Sequence, residues 1–207
     1  VGGLPAFLEI NQKAKIVLSS HIFNRDYYSS RSSFRKISVD FDFNALKERL
    51  IAVDEKALFE EEIAVFNATT RKYPFPKANG MLFKSHGDEL IDDDFDHELI
   101  IVFGKESRFI FTGCGHNGLL NILESVIAEG SGEIACVMGG FHLLDNKNGL
   151  EYETAEEIVE LGEKLKSRFP STSFITGHCT GDNAFNHLKS ILGEQLKQFY
   201  VGYELSI

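Results

Sequence analysis

The stretch Phe111-Thr-Gly-Cys-Gly-His-Asn-Gly-Leu-Leu-Asn-Ile-Leu-Glu124 decides the fold of this chain. It joins Arg108-Phe-Ile-Phe-Thr112, which is typical of a buried strand, to a segment in which apolar residues recur at helical spacing. Gly113 to His116 are therefore predicted to form a turn, and Asn117 is predicted to cap the helix. A histidine in such a turn lies at the carboxyl end of a strand, where open α/β folds build their sites.

The same design occurs twice more along the chain. Ile134-Ala-Cys-Val-Met138 leads into Gly139-Gly-Phe-His-Leu143, and Ser173-Phe-Ile-Thr176 leads into Gly177-His-Cys-Thr-Gly181. Any one of these motifs is also compatible with a plain tight turn that exposes a histidine. Three imidazoles at strand ends can converge on one metal, because neutral imidazole suits zinc and similar ions. The three histidines are His116, His142 and His178.

The ordered set of these motifs resembles the metallo-β-lactamase superfamily, and within it the branch of dihydropterin–ribofuranosyl-aminobenzene-phosphate synthase-like proteins. The resemblance covers nearly the whole chain. It implies one domain, residues 1–207, of the α/β (α+β) class, built as a four-layer αββα sandwich with a site for two divalent metals, zinc or another, at one edge of its sheets.

The resemblance also implies roles for individual residues. His116 and His178 match histidine ligands, one to each metal, and His142 is expected nearby as a further ligand or a substrate contact. Asn117 and Thr180 are expected to donate hydrogen bonds to the substrate. Cys114 and Cys179 offer a different reading, a structural Cys/His zinc site, which is disfavoured because their spacing departs from the usual paired cysteines. We prefer the histidine assignment.

Family members carry a His-x-His-x-Asp-His motif immediately before a Gly-Gly-Leu-Pro-like helix start. This chain opens with Val1-Gly-Gly-Leu-Pro-Ala-Phe-Leu8. We therefore expect an amino-terminally incomplete domain that lacks its first strands and these ligands, and whose catalysis is impaired as a result. If Val1 is the true start, an exposed sheet edge and a homodimer are expected.

A second region carries candidate substrate contacts. In His21-Ile-Phe-Asn-Arg-Asp-Tyr-Tyr28, Arg25 is suited to hold a phosphate or carboxylate, and Tyr27 is suited to stack on a ring. A solvated loop with aromatic anchors is the alternative. Adjacent carboxylates in Asp92-Asp-Asp-Phe-Asp-His97 are read as a solvated turn, so His97 is not expected to be a ligand.

Composition excludes several classes of partner. The net charge is −10, with 21 Lys plus Arg against 31 Asp plus Glu, which argues against nucleic acid and anionic membranes as general partners. No apolar run reaches membrane-spanning length. The three cysteines are odd in number and fit a reducing cytoplasm rather than a disulfide framework.

Local patterns predict several further elements. Thr154 and Glu157 form a capping box at the start of a helix that ends near Arg168. A second helix is predicted over 44–51, an irregular lid-like loop over 67–95, and closing strands over 198–201 and 203–207.

Two function classes follow from the sequence. The first is a metal-dependent hydrolase, or related transferase, that acts on a phosphate-bearing, pterin-like small molecule. The second is a non-catalytic remnant that binds a small anionic ligand or a protein partner.

Overall fold

The structure is a computed structural model that describes residues 3–38, 42–46, 48–60, 62–147 and 149–206. Where a predicted element includes a residue outside these ranges, only its residues within the ranges can be compared with the structure. Of the positions in the predicted elements and motifs, Val1, Gly2, Lys47 and Ile207 lie outside the described residues.

Helices and strands alternate along the second half of the described chain. The helices are α1 (Leu4–Ile10), α2 (Leu119–Ala128), α3 (Ala155–Arg168) and α4 (Asp182–Leu192). Strands β1 to β13 are Ile16–Ser19, Tyr27–Ser29, Arg35–Lys36, Leu50–Val53, Lys56–Phe59, Ile63–Asn67, Leu82–His86, Glu89–Asp92, Leu99–Phe103, Ser107–Thr112, Glu133–Met138, Ser173–Thr176 and Leu196–Gln198. Short 3₁₀ turns occupy Ser20–Ile22, Phe43–Leu46, Lys77–Met81 and Gly193–Gln195.

A seven-stranded mixed sheet forms the centre of the molecule, in the order β13-β12-β11-β10-β9-β6-β5. Strands β10 to β13 are parallel, whereas β9, β6 and β5 add on in antiparallel fashion. The carboxyl ends of β10, β11 and β12 therefore meet at one edge of this sheet. The three histidine-bearing turns begin at that edge.

Helices α2, α3 and α4 cover one face of the seven-stranded sheet. Their apolar residues recur every three or four positions, so each helix presents one buried stripe to the strands. Strand and helix side chains there form one hydrophobic core, and burying each such side chain is worth roughly 1.5–3 kcal/mol. Its least exposed members are Ile100, Ile122, Leu123, Val137, Leu165, Phe174, Leu188 and Leu196.

Two smaller sheets accompany the central one. Strands β1 and β4 pair in parallel, and a four-stranded sheet has the order β3-β2-β7-β8. The face of the central sheet away from the helices lines an apolar groove of about 370 Å³ that includes Phe111 and, from β1, Val17. A larger cleft of about 1600 Å³ lies beside the four-stranded sheet. Within the described residues, the helices are all too short or too polar to cross a membrane.

Some local predictions are confirmed and others are wrong. Helix α3 has the full capping box between Thr154 and Glu157. The predicted helix over 44–51 is wrong, because Leu50 and Ile51 belong to β4 and pair with β1. The predicted irregular loop over 67–95 is also wrong, since it contains β7 and β8.

Two predicted helix and strand ends also differ from the structure. The first residue before α2 is Gly118, with φ of 80°, so Asn117 is not its N-cap. The chain closes with β13 at 196–198, and no described residue of 203–206 is in a strand.

Candidate metal centre

Backbone hydrogen bonds join the three turns that follow β10, β11 and β12. The Gly140 N–H donates to the Gly113 carbonyl at 2.7 Å, and the Gly139 N–H donates to the Ile175 carbonyl at 3.0 Å. On the other side, the Gly181 N–H donates to the Leu143 carbonyl at 2.7 Å. The turn after β11 is thus hydrogen-bonded to the segments on both sides of it, and all three histidines lie at one edge of the sheet.

A buried carboxylate fixes the first of these turns. Glu98 is 8% exposed, and its oxygens accept hydrogen bonds from the backbone N–H groups of Gly115, His116 and Asn117 at 2.9, 2.8 and 2.8 Å. Hydrogen bonds to a charged group are worth about 1.5–3 kcal/mol. The backbone N–H groups of 115–117 are therefore already bonded to Glu98 and are not available to bind a substrate anion.

Asn79 and Phe95 orient the ring of His116. The Asn79 amide Nδ2 donates to the His116 carbonyl at 2.7 Å, which places Asn79 Oδ1 3.0 Å from His116 Nδ1. An oxygen acceptor at this distance requires a proton on Nδ1, which makes Nε2 the ring nitrogen that could bind a metal. Phe95 stacks on the same ring, with centroids 4.5 Å apart and planes at 1°.

His142 is almost completely enclosed. It is 1% exposed, its ring centroid lies 3.9 Å from that of His116, and neither ring nitrogen has a hydrogen-bond partner. Burial, aided by the charges of His116, Arg31 and His178, lowers the pKa of His142 to about 3. His142 also has a positive φ of 50°, a strained conformation for a residue with a side chain. Its neutral imidazole is in the state that binds metals.

His178 lies in a cluster with two cysteines. Its Nε2 is 3.4 Å from the Cys114 Sγ, which is 3.5 Å from the Cys179 Sγ. The two sulfurs are within hydrogen-bonding distance of each other. Hydrogen bonding between them chiefly lowers the pKa of Cys179 to about 7 and raises the pKa of Cys114 to about 12.

The side chains present fit a bound transition metal. The His116 ring is held by Asn79 at Nδ1, and a second partner on one ring nitrogen is the usual arrangement of a metal-binding histidine. The ring nitrogens of buried His142 have no hydrogen-bond partner, which destabilises the folded protein, and a bound cation would give one of them a partner. Imidazole and thiol groups together suit zinc and other borderline or soft ions.

The remaining predicted site residues have contacts of their own. Asn117 is fully buried, and its Nδ2 donates to Glu98 at 2.8 Å. The Thr180 hydroxyl lies 2.7 Å from that of Thr176 and accepts from the Phe141 N–H. Arg25 and Tyr27 line the large cleft together with His116. Their part in substrate binding stays a prediction.

Arg25 and Tyr27 are also tied to the protein. Arg25 Nη1 donates to Asp96 at 2.6 Å, and the Tyr27 hydroxyl donates to the His21 carbonyl at 3.3 Å. The Tyr27 ring packs on His97 with centroids 4.5 Å apart. One wall of the cleft is thus formed by aromatic rings and a cation that is already partly neutralised.

Comparison with solved structures decides the architecture. This chain superposes with a TM-score of 0.74 on a metal-dependent hydrolase of the β-lactamase superfamily, at 22% identity, over 93% of this chain and 71% of that one. The chain has the metallo-β-lactamase fold. The edge that carries the three histidine turns is therefore part of a metallo-β-lactamase sheet, as the sequence motifs predicted.

Sequence comparison finds two further proteins that are similar to this chain at low identity. No family model matches the chain. The 7,8-dihydropterin-6-methyl-4-(β-D-ribofuranosyl)-aminobenzene-5′-phosphate synthase of Methanocaldococcus jannaschii is 27% identical over 123 residues, which are 58% of this chain but only 39% of the synthase. The chain therefore matches less than half of the synthase's length. An uncharacterised protein of the same organism is 25% identical over 201 residues, 91% of this chain and 70% of that protein.

Sequence reasoning missed the residues that support the histidines. Glu98 directly precedes the apolar run of β9, but the acidic stretch before it predicts a solvated turn, so its burial is not evident from the sequence. Asn79 is followed by Gly80, which looked like a plain turn signal. Cys114 and Cys179 are disfavoured as an alternative zinc site by their spacing in the sequence, whereas the structure places their sulfurs 3.5 Å apart. The two positions are 65 residues apart, so no local pattern indicates this contact.

Proposed function

We propose that this chain acts in a metal-dependent hydrolase, or a related transferase, on a phosphate-bearing small molecule of the pterin type. One observation carries the proposal. His116, His142 and His178 lie in the turns that follow three adjacent parallel strands, and the buried ring of His142 has no hydrogen-bond partner on either nitrogen, in a fold shared with a metal-dependent hydrolase. The synthase relative supports the substrate class, since its name contains a pterin and a phosphate.

In this proposal His116 and His178 hold divalent metals, one each. His142 lies against His116 as a further ligand or a contact to the substrate. Bound metal supplies a water of lowered pKa and polarises a phosphate or ester oxygen. Asn79 keeps the proton of His116 on Nδ1, and burial keeps His142 neutral.

The cleft beside the site is where the substrate is proposed to bind. It is lined by His116, Phe95 and Tyr27, which give this wall an aromatic character that suits a flat heteroaromatic group. Arg25 contributes a guanidinium that suits a phosphate, although Asp96 competes for it. We also propose that the substrate is a small anion and that the chain binds neither nucleic acid nor a membrane.

The test is hydrolysis of p-nitrophenyl phosphate and bis(p-nitrophenyl) phosphate in the presence of Zn²⁺ or Mn²⁺. We expect turnover that requires the metal and that falls to the metal-free level in His116→Ala and in His178→Ala. His86→Ala, at an exposed strand end, is the matched control and should keep the wild-type rate. Metal-dependent turnover that survives both site substitutions would contradict the proposal. Complete inactivity would favour a non-catalytic module that binds an anionic ligand or a protein.

A further inference from the structure

The cluster of Cys114, His178 and Cys179 has the dimensions of a metal-binding site. Their ligand atoms all lie within 4.8 Å of one another, and among the described residues no other such group of three was found. Zinc binds sulfur at about 2.3 Å and nitrogen at about 2.0–2.1 Å in a tetrahedron, so its neighbouring ligands are about 3.5–3.8 Å apart. The separations of 3.4 Å from sulfur to nitrogen and 3.5 Å from sulfur to sulfur are close to these edges.

The backbone is built to bring these side chains together. Gly140 lies between the two turns, and a Cβ there would be 2.6 Å from the His178 carbonyl and 2.7 Å from the Cys114 carbonyl. Only a residue without a side chain allows this approach. Cys179 itself has a positive φ of 51°, a conformation that costs about 1–3 kcal/mol for a residue with a Cβ. The requirement for glycine at position 140 and the strained backbone of Cys179 both allow the two turns to approach each other.

The cluster is also accessible and distinct from the other thiol. Cys114 and Cys179 are half-buried and His178 is exposed, so a cation can reach them from solvent. Cys136 is buried in β11 and has no place in the group. This difference provides an internal control.

We propose that Cys114, His178 and Cys179 bind a thiophilic divalent cation of the zinc class through two thiolates and one imidazole. The proposal rests on the proposed function, since His178 is assigned there to a metal, and it adds sulfur to that metal's ligands. Binding releases to solvent the protons that the two thiols still carry, so that both sulfurs bind as thiolates, and no electron is transferred. His116 and His142 then belong to the second, nitrogen-bound position.

The test is titration of the reduced full chain with Co²⁺ and Cd²⁺, monitored by sulfur-to-metal charge-transfer absorption. We expect the absorption in the wild type and its loss in Cys114→Ser and Cys179→Ser. Each substitution should weaken Cd²⁺ binding by more than the roughly 10–100-fold that loss of an outer-shell partner costs. Cys136→Ala should retain the absorption. Metal binding without charge transfer, or charge transfer that survives both serine variants, would overturn the proposal.

A second measurement needs no substitution. Alkylation of the three thiols, followed by mass spectrometry, should show that saturating Zn²⁺ protects Cys114 and Cys179 together and leaves the reactivity of Cys136 unchanged. Unchanged rates at Cys114 and Cys179 would overturn the proposal even if the serine variants failed to fold. Failure of the proposed function would give a different result. The protein would hydrolyse neither phosphate ester, but it would still show the sulfur-to-metal absorption and the protection of Cys114 and Cys179 from alkylation.

Discussion

Asn79 binds His116 at two points, the backbone carbonyl and the ring nitrogen Nδ1. The first contact fixes which end of the amide faces the ring, and the second contact therefore fixes the tautomer of the imidazole. The residue with this effect is 37 positions away in sequence and lies in a 3₁₀ turn that precedes β7. The turn that leads into the four-stranded sheet thus contacts the ring of a histidine at the edge of the seven-stranded sheet.

Substitution of Asn79 by alanine tests this contact. Because the Nδ1 proton would lose its acceptor, the His116 ring would be free to turn or change tautomer, and we expect zinc affinity to fall about 10–100-fold. Competition with a chelating dye measures the change. Asn183→Ala, at an exposed position in the first turn of α4, should leave the affinity unaltered. Equal affinities in wild type and Asn79→Ala would show that the contact does not orient the ring.

Glu98→Gln should destabilise the protein by about 2–3 kcal/mol. The glutamine places an N–H₂ group where one carboxylate oxygen accepts hydrogen bonds, so at least one of the N–H groups of 115–117 loses its partner. Urea denaturation followed by circular dichroism measures the free energy of unfolding. Glu89→Gln, on exposed β8, is the control and should change it by less than about 0.5 kcal/mol. A similarly small change at Glu98 would refute its anchoring role.

Gly140→Ala should separate the turns that carry Cys114 and His178. The new Cβ would overlap two carbonyl oxygens, and we expect a loss of about 1–3 kcal/mol in the free energy of unfolding together with weaker Cd²⁺ binding. In Gly130→Ala the added methyl meets only ordinary contact distances, so both quantities should stay near those of the wild type. Wild-type stability in Gly140→Ala would mean that the two carbonyl oxygens lie farther than 2.6 and 2.7 Å from the position of the added Cβ.

Asp96 should give the stability of the protein a pH dependence. Burial alone raises the pKa of Asp96, but the charges and hydrogen bonds of Arg25 and Lys84 outweigh it and lower the pKa from 3.8 to about 2. Asp96 therefore binds fewer protons in the folded state, so its stabilisation is complete above about pH 4 and is lost as the pH falls towards 2. Asp96→Asn should cost about 1–2 kcal/mol at neutral pH.

The measurement for Asp96 is a series of denaturation curves between pH 7 and pH 2. The difference between wild type and Asp96→Asn should be constant down to about pH 4 and then shrink. Asp88→Asn, at an exposed turn, should show little difference at any pH. If the difference in the free energy of unfolding between wild type and Asp96→Asn were unchanged at pH 2, the effect of the substitution would not be electrostatic.

Local chemistry in this sequence was sufficient for some elements and insufficient for others. The capping box of Thr154 and Glu157 is made within four residues, so its helix was predicted correctly from sequence. By contrast, Leu50 and Ile51 have a helix-compatible spacing, and only their pairing with β1 makes them a strand. Strand β8 is exposed along its length, so it shows no alternation of buried and exposed residues to reveal it.

The candidate site divides in the same way. The three histidines follow glycine at strand ends, a pattern that sequence displays directly. Their supports do not, because the contacts of Glu98 and Asn79 with the His116 turn, and that of Cys114 with Cys179, depend on the packing of whole strands. The assignment of His116 and His178 to metals stays a prediction.

The most direct test of the account is the metal content of the purified chain, measured by elemental analysis after incubation with zinc and manganese. We predict about two equivalents of metal in the wild type, and a lower content in both His116→Ala and His178→Ala. A chain that retains no metal, or one whose metal content is the same in both variants as in the wild type, would contradict the assignment of this sheet edge as a metal centre.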